Sequence, residues 1–226
     1  MLASAYPSTM IKTIFFDFDG VLTLDGSGSY TTCTNIQKRI PDVTFDHILK
    51  CYRVHHPKLL LGQTTHAAVW KDFCRCIGND LDMEVLEEAF RNTPMNEQMM
   101  ELCKNLKKHY KLGIITDNSK ERLDLLKEEM KLSDVFDVIV VSGETGVRKD
   151  SDETFIKALQ LAGCSPEECI FIDNNASNLE APKKLGWKTI FHDDKKNDME
   201  FLMKELASVG VTEAELLLTS AASPRG

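Results

Sequence analysis

Residues 11–21 read IKTIFFDFDGV and decide the interpretation of the fold. Residues 11–17 form a short apolar, β-branched and aromatic run that ends abruptly in acid and glycine. Such a run is typical of a buried strand that delivers its C-terminal end to a loop. We therefore predict a first strand here, with polar side chains at its end.

Later segments repeat this pattern along the chain. Similar runs lie at residues 112–116, 136–142 and 169–173, with a weaker one at 188–192. Helical patterns lie between them at residues 119–131, 151–162 and 175–185. Strands that alternate with helices of this length are typical of βαβ units and a parallel sheet. The predicted fold class is α/β, with a doubly wound parallel sheet.

A helical segment interrupts the alternation after the first strand. Residues 31–93 show no convincing strand, but they show helical patterns at 45–54, 64–77 and 83–90. We interpret residues 25–93 as a helical cap domain, and residues 10–24 and 94–226 as the α/β core domain. The glycine-rich residues 25–29 predict a flexible hinge or loop tip.

Two Ser/Thr-x-x-Glu signals predict helix starts in the C-terminal part of the chain. Ser165 precedes proline and has Glu168 at the spacing of a capping box. Residues 212–215 repeat the spacing before three leucines and predict one last short helix.

Composition excludes several classes of protein. The 226 residues are 42% apolar and 27% charged, and no apolar run approaches the ~20 residues of a membrane span. The net charge of −8, without a lysine or arginine stripe, argues against a nucleic-acid partner. Seven scattered cysteines without a Cys-x-x-Cys pair predict reduced thiols, and the N-terminus shows no secretion signal. We expect a cytoplasmic protein.

Polar side chains follow the strands where ligands bind in open α/β sheets, beyond the carboxyl ends. The groups concerned are Asp17 and Asp19 after the first strand, Thr116, Asp117 and Asn118 after the second, Arg148 and Lys149 after the third, and Asp173, Asn174 and Asn175 after the fourth. We expect these groups to form one site.

Asp17 and Asp19 are two residues apart, so an extended backbone turns both side chains to one side. The two carboxylates repel, and they persist together if a hard cation such as Mg²⁺ binds them or if one is protonated. Asp17, Asp19 and Asp173 carry −3 and Lys149 carries +1, so Mg²⁺ would bring the site to zero. A protonated Asp19 would make it +1 and open it to a phosphate dianion.

These residues, in this order, resemble the four motifs of the haloacid dehalogenase superfamily. Residues 17–21 (DFDGV), Thr116, residues 143–149 (GETGVRK) and residues 171–173 (FID) correspond to the motifs. The resemblance covers about residues 12–192, and the helical insertion lies where subfamily I members carry a type C1 cap.

The resemblance implies nucleophilic catalysis at phosphorus. Asp17 would become an aspartyl phosphate, while Asp19 would protonate the leaving alkoxide and then deprotonate water. Thr116 and Lys149, together with Asp117, would form the phosphate-binding group. Mg²⁺ would be ligated by Asp17, Asp173 and the Asp19 backbone carbonyl. Asn174, where many members have an acid, would keep an oxygen ligand and weaken Mg²⁺ affinity.

The implied function is an Mg²⁺-dependent phosphatase for a small phosphorylated metabolite, without a membrane partner and as a monomer or homodimer. A phosphomutase and a non-catalytic, HAD-like binding protein remain as alternatives. A hydrolytic dehalogenase is disfavoured, because halide departure needs no acid at residue 19. A phospho-accepting signalling receiver is disfavoured, because such domains lack the helical insertion.

Some side chains have ordinary interpretations. Asp150, where proline usually follows the motif lysine, is expected to cap the next helix. Arg148 is expected to pair with Glu144 in solvent, and Cys74 and Cys76 to pack in a helical core. Asn178 is interpreted either as a residue on a helix face or as an outer ligand of the metal site.

Overall fold

The computed structural model describes residues 10–212 and Leu216, and its core is one parallel sheet. The five strands are β1 (Thr13–Phe16), β2 (Lys111–Thr116), β3 (Val138–Val141), β4 (Cys169–Asp173) and β5 (Lys188–Phe191), in the order β3-β2-β1-β4-β5. Phe16 pairs with Ile114 on one side and with Ile172 on the other. The carboxyl ends of the three central strands therefore meet at one edge.

Helices fill the connections in the described part of the chain. They are α1 (Gly28–Gln37), α2 (Phe45–Arg53), α3 (His56–Leu59), α4 (His66–Ile77), α5 (Met83–Arg91), α6 (Glu97–Leu106), α7 (Lys120–Glu129), α8 (Ser142–Thr145), α9 (Asp152–Ala162), α10 (Glu180–Lys184) and α11 (Met199–Ser208). Among the described residues, no helix is both long enough and apolar enough to cross a membrane.

Both faces of the sheet are covered, which confirms the doubly wound prediction. Ile14 and Phe16 join an apolar cluster that includes side chains of α6, α7 and α11. Phe15, which points to the other face, packs in a second cluster with Phe155 of α9 and Trp187. Successive residues of a strand point to opposite faces, so a strand covered on both sides must be apolar throughout.

The helical insertion has an apolar cluster of its own. Helices α1, α2, α4 and α5 supply most of its buried members, among them Ile36, Ile48, Phe73 and Phe90. The chain leaves and re-enters the core side by side, because Thr23 bridges Met95 in antiparallel fashion.

The structure contradicts the expectation of reduced thiols throughout. Cys51 of α2 and Cys76 of α4 form a disulfide, whereas Cys74 is a free, buried cysteine in the apolar cluster. The two partners are 25 residues apart on facing helices, a relationship that no spacing motif reveals.

The predicted hinge at residues 25–29 is partly wrong, since α1 begins within it at Gly28. The residues of α1 (GSYTTCTNIQ) are mostly weak helix formers, so their local pattern does not predict a helix. Burial of Cys33 and Ile36 stabilises the helix, and Asn35 donates to the backbone oxygens of Ala89 and Asn92.

Two of the predicted helix starts can be compared with the structure. Ser165 and Glu168 form the capping box, but it opens a single 3-10 turn rather than a helix. The cap of α9 is Ser151, which accepts from the Glu153 amide, so the assignment of that role to Asp150 was wrong. The helix expected after residue 212 lies, apart from Leu216, outside the described residues.

Candidate active site

A cavity of about 230 Å³ opens at the carboxyl edge of the sheet, under the helical insertion. It is lined by six of the seven residues to which the sequence assigned a role: Asp17, Asp19, Thr116, Asp117, Lys149 and Asn174. The seventh, Asp173, lies directly behind Lys149 and is fully buried. The structure thus brings the predicted site residues together.

Lys149 joins the ends of β1 and β4 through two ion pairs. Its Nζ lies 2.7 Å from Asp17 Oδ2 and 2.8 Å from Asp173 Oδ2, and all three side chains are buried. Burial opposes the charge of Lys149, but the carboxylates of Asp17 and Asp173 outweigh it and raise the lysine's pKa. Burial also raises the pKa of Asp17 to about 8, against the opposing effect of Lys149. The neighbouring Asp173 carboxyl group adds to this rise, because one lysine serves two buried carboxyl groups.

The Asp173 carboxylate is fixed by its own loop as well. Asn178 Nδ2 donates to both carboxylate oxygens at 3.1 Å, and the Asn175 amide donates to Oδ1 at 2.7 Å. Asn178 lies in the 3-10 helix Ala176–Leu179 and contacts Asp173, so its role as an outer residue of the metal site stays a prediction. It holds the orientation of a buried carboxylate.

Gly20 shapes the turn that carries Asp17 and Asp19. The turn leaves β1 at once, and Gly20 has φ +83°, a conformation that favours glycine. A Cβ on Gly20 would lie 2.1 Å from Asn174 Nδ2. A glycine is needed here because the loops after β1 and β4 approach each other so closely.

Asp19 is bound by a residue that the sequence did not single out. Arg122 of α7 donates through Nη1 to Asp19 Oδ2 at 2.9 Å and through Nη2 to Oδ1 at 2.8 Å. Asn118 Nδ2 also donates to Oδ2, at 3.0 Å. A signal was available, since a positive charge in the first turn of a helix opposes the helix dipole and indicates a nearby anion.

Asp117 and Arg148 pair with each other in the cavity wall. The Asp117 carboxylate accepts from Arg148 Nε and from the Lys149 amide, both at 3.0 Å. The expected pair of Arg148 with Glu144 was wrong, because Glu144 lies 3.5 Å from Lys120 instead. The Asp117 carboxylate holds the loop of Lys149 in place, and its assignment to phosphate binding stays a prediction.

The helical insertion supplies the opposite wall of the cavity. Its contribution includes Ser29, Tyr52, His56 and Leu60. Ser29 Oγ and His56 Nε2 are 3.2 Å apart, within hydrogen-bond distance. Burial, with the nearby positive charge of Arg53, lowers the pKa of His56 to about 4. This wall is therefore polar but uncharged at neutral pH.

The donor set of the pocket fits a hard divalent cation. Carboxylate, amide and carbonyl oxygens are the ligands that Mg²⁺ prefers, and Asp17, Asp173 and Asn174 supply the first two kinds. Burial and the neighbouring Asp173 carboxyl group raise the pKa of Asp17, and such an ion would favour the ionised form of Asp17. Within the described residues, no group of three or more His, Cys, Asp or Glu side chains is arranged as a metal cluster, so amide, backbone and water oxygens would complete the shell.

A doubly wound sheet with paired aspartates, a threonine and a lysine at its carboxyl edge defines an α/β protein whose candidate site lies beyond the ends of its parallel strands. The family model described as haloacid dehalogenase-like hydrolase matches residues 11–186. The chain belongs to this family of hydrolases.

Two curated relatives match different shares of the chain. The pyrophosphatase PpaX of Bacillus cereus is 33% identical over 94 residues, which is 41% of this chain and 44% of that protein. The bifunctional epoxide hydrolase 2 of Rattus norvegicus is 24% identical over 216 residues, which is 86% of this chain and 38% of that protein. The matches thus span less than half the length of these relatives.

Solved structures share the fold over most of their length. A predicted HAD-like hydrolase from Porphyromonas gingivalis has a TM-score of 0.69 at 22% identity and covers 87% of this chain and 98% of its own. A HAD family enzyme from Bacteroides thetaiotaomicron, in complex with magnesium and inorganic phosphate, has a TM-score of 0.66 at 18% identity. The match covers 81% of this chain and 95% of that enzyme. The L-2-haloacid dehalogenase of Xanthobacter autotrophicus, with chloropropionic acid covalently bound, has a TM-score of 0.62 at 17% identity. The match covers 91% of this chain and 86% of that dehalogenase.

Proposed function

We propose that this hydrolase is an Mg²⁺-dependent phosphatase that cleaves small phosphate monoesters through an aspartyl phosphate on Asp17. The observation that carries the proposal is that Asp17 contacts Lys149 and that both line one cavity together with Asp19. The magnesium and phosphate bound by the Bacteroides enzyme, and the phosphate chemistry in the name of PpaX, support it.

The first half of the reaction forms the covalent intermediate. A carboxylate oxygen of Asp17 attacks phosphorus, and the electron pair of the broken P–O bond goes to the ester oxygen. Asp19 donates a proton to that oxygen, so the product leaves as an alcohol. Lys149 and the Thr116 hydroxyl hold the non-bridging oxygens of the phosphoryl group.

The second half of the reaction releases phosphate. Asp19, now ionised, takes a proton from water while the water oxygen attacks phosphorus, and the Asp17 carboxylate is regenerated. Mg²⁺ held by Asp17, Asp173, Asn174 and the Asp19 backbone carbonyl would offset the negative charge gathered between the carboxylates and the phosphoryl oxygens. The helical insertion limits the access of bulk water during both halves.

The size and lining of the cavity support a small, polar product. The cavity of about 230 Å³ suits a compact molecule, and its lining includes Ser29, His56, Asn174 and Asn175. Hydroxyl groups on the departing alcohol could hydrogen-bond to these side chains.

The test is phosphate release from a panel of substrates, with Mg²⁺ and with EDTA. The panel contains sugar phosphates, small phosphorylated acids, nucleoside monophosphates, inorganic pyrophosphate and p-nitrophenyl phosphate. We expect Mg²⁺-dependent release by the wild type and a fall of at least about 10³-fold in Asp17→Asn. Lys120→Met, on an exposed lysine of α7, is the matched control and should keep full activity.

Several outcomes would overturn the proposal. An Asp17→Asn variant with full activity would end the covalent mechanism. Release of chloride from haloacids would indicate a dehalogenase, and transfer of the phosphoryl group to a second substrate hydroxyl would indicate a phosphomutase. Absence of turnover across the panel, with Mg²⁺ binding intact by calorimetry, would favour a non-catalytic binding protein.

A further inference from the structure

Arg122 is a buried cation at the site to which the proposed mechanism gives no part. Its side chain is 3% exposed, and both of its Nη atoms donate to the Asp19 carboxylate in the bidentate arrangement described above. The arrangement fixes the plane of the carboxylate as well as its distance, because two parallel bonds allow neither rotation nor tilt. A lysine could not do this.

The other contacts of Arg122 hold the guanidinium itself in place. Nη1 donates to Asn118 Oδ1 at 3.1 Å, Nη2 lies 3.4 Å from Thr93 Oγ1, and the group lies 5.8 Å from the centre of the Phe18 ring. Asn118 bonds at the same time to Asp19 Oδ2. Arg122, Asn118 and Asp19 thus form a closed triangle of hydrogen bonds.

Burial of this guanidinium is costly, and its bonds do not satisfy it fully. Arg122 Nε has no hydrogen-bond partner in the described part of the chain. A buried ion pair often adds little stability over an apolar replacement, because desolvation offsets the attraction. Stability alone is therefore a weak reason for an arginine at this position.

The helical insertion also lies close to the side chains of Arg122 and Asp19. A Cβ added to Gly28, the first residue of α1, would lie 2.5 Å from Arg122 Nη1 and 2.8 Å from Asp19 Oδ2. Asp19 is therefore enclosed by α7 on one side and by the start of α1 on the other. The insertion leaves the Asp19 carboxylate little freedom to turn away from Arg122.

We propose that Arg122 is a positioning residue for Asp19. It holds the Asp19 carboxyl group where that group gives a proton to the ester oxygen and later takes one from water. The proposal rests on the proposed phosphatase function and assigns Arg122 no contact with substrate. A misplacement of about 1 Å can cost about 10²-fold in rate, so a loose Asp19 would be a poor acid and base even though its carboxyl group is present.

The test is a double-mutant cycle on Asp19 and Arg122. The turnover of p-nitrophenyl phosphate is measured for the wild type, Arg122→Met, Asp19→Asn and the double variant, because its good leaving group keeps the slow variants measurable. Loss of Arg122 should cost about tenfold to 10²-fold in the wild type but less than about twofold in Asp19→Asn. Lys120→Met, from the same helix, is the control for α7.

The cycle separates positioning from a merely structural role. A residue that supports only the fold or binds the substrate would lower activity by the same factor in both backgrounds, and that result would overturn the proposal. Arg122→Lys keeps the positive charge but lacks the planar guanidinium that forms two parallel bonds. We expect it to keep less than half of the activity that Arg122→Met loses. If Arg122→Met fails to fold, the lysine variant completes the same cycle.

A crystal structure of Arg122→Lys tests the proposal without turnover. The Asp19 carboxylate should leave the position that it has beside Asn118, whereas Asp17 and Lys149 should stay in place. An unmoved carboxylate would overturn the positioning role even if the wild type hydrolysed no phosphate ester. Failure of the phosphatase proposal and failure of this one are therefore distinguishable.

Discussion

The ion pairs at the sheet edge and those of the helical insertion differ in their exposure. Lys149 and Arg122, at the edge, are each 3% exposed and paired with buried or nearly buried aspartates. Arg39 and Arg75, in the insertion, are 57% and 79% exposed and pair with Glu88 and Asp72 in solvent. A buried charge must be matched by a partner, whereas an exposed pair contributes about 0–1 kcal/mol.

The difference shows that the two regions are stabilised in different ways. The sheet edge holds charged side chains in a buried position, where desolvation lowers stability. This arrangement indicates selection for chemistry rather than for stability. The insertion depends on its apolar cluster and on the disulfide between Cys51 and Cys76. Variants that remove one element of each kind test this contrast.

The largest effect is expected for Lys149→Met. The substitution leaves the carboxyl groups of Asp17 and Asp173 buried without their common cation. Breaking a buried pair on one side costs about 3–5 kcal/mol, and urea unfolding in EDTA at pH 7 measures it. Lys120→Met, which breaks only the exposed pairs with Asp124 and Glu144, should cost less than about 1 kcal/mol.

A second variant identifies the source of that loss. Asp173→Asn combined with Lys149→Met removes a buried carboxylate that has lost its cation, so it should be more stable than Lys149→Met alone. Equal stabilities of the two, or a cost for Lys149→Met no larger than for the exposed lysine, would contradict the assignment of unmatched charge to the sheet edge.

The disulfide is expected to have the next largest effect. It closes a loop of about 25 residues in the insertion, for which chain entropy gives about 3.5 kcal/mol. Addition of dithiothreitol should lower the unfolding midpoint of the wild type and leave a Cys51→Ala/Cys76→Ala variant unchanged. Cys164→Ala, which removes a partly buried free thiol outside the insertion, should respond like the wild type. An insensitive wild type would show that the insertion does not depend on the bond.

The sheet edge was predictable from the sequence because its chemistry follows from topology. Asp17, Thr116 and Asp173 each end a strand or directly follow one, and the ends of parallel strands meet at one edge. Lys149 lies on a loop beyond β3, yet the family motif places it with them. Local patterning was sufficient for this part of the site.

The remaining parts depend on contacts between segments that are distant in sequence. Arg122 reaches Asp19 across 103 residues, and its positive charge in the first turn of α7 indicates a nearby anion without showing which one. Helix α1 forms from weak helix formers because its buried side outweighs their propensity. The pairing of Cys51 with Cys76 requires knowledge of which helices face each other.

The smallest effect concerns His56, the neutral polar group on the insertion's side of the cavity. Its pKa is lowered from 6.5 to about 4, first by burial and then by Arg53. Between these two pH values the unfolded chain binds a proton that the folded protein does not bind. Protonation of His56 in the unfolded chain therefore lowers the free energy of unfolding as the pH falls from 6.5 towards 4. Above about pH 7 the histidine is neutral in both states, and this loss is absent.

The measurement is urea unfolding of the wild type and His56→Gln at pH 7 and pH 5. The wild type should lose about 1–2 kcal/mol more than the variant over this range, since glutamine cannot take up the proton. Carboxylates also titrate in this range, but they do so in both proteins and cancel in the difference. An equal loss in both would show that His56 is protonated as readily in the folded protein as in the unfolded chain, and the cavity wall would then carry a positive charge at pH 5. The contrast between a charged sheet edge and an uncharged insertion wall would hold only near neutral pH in that case.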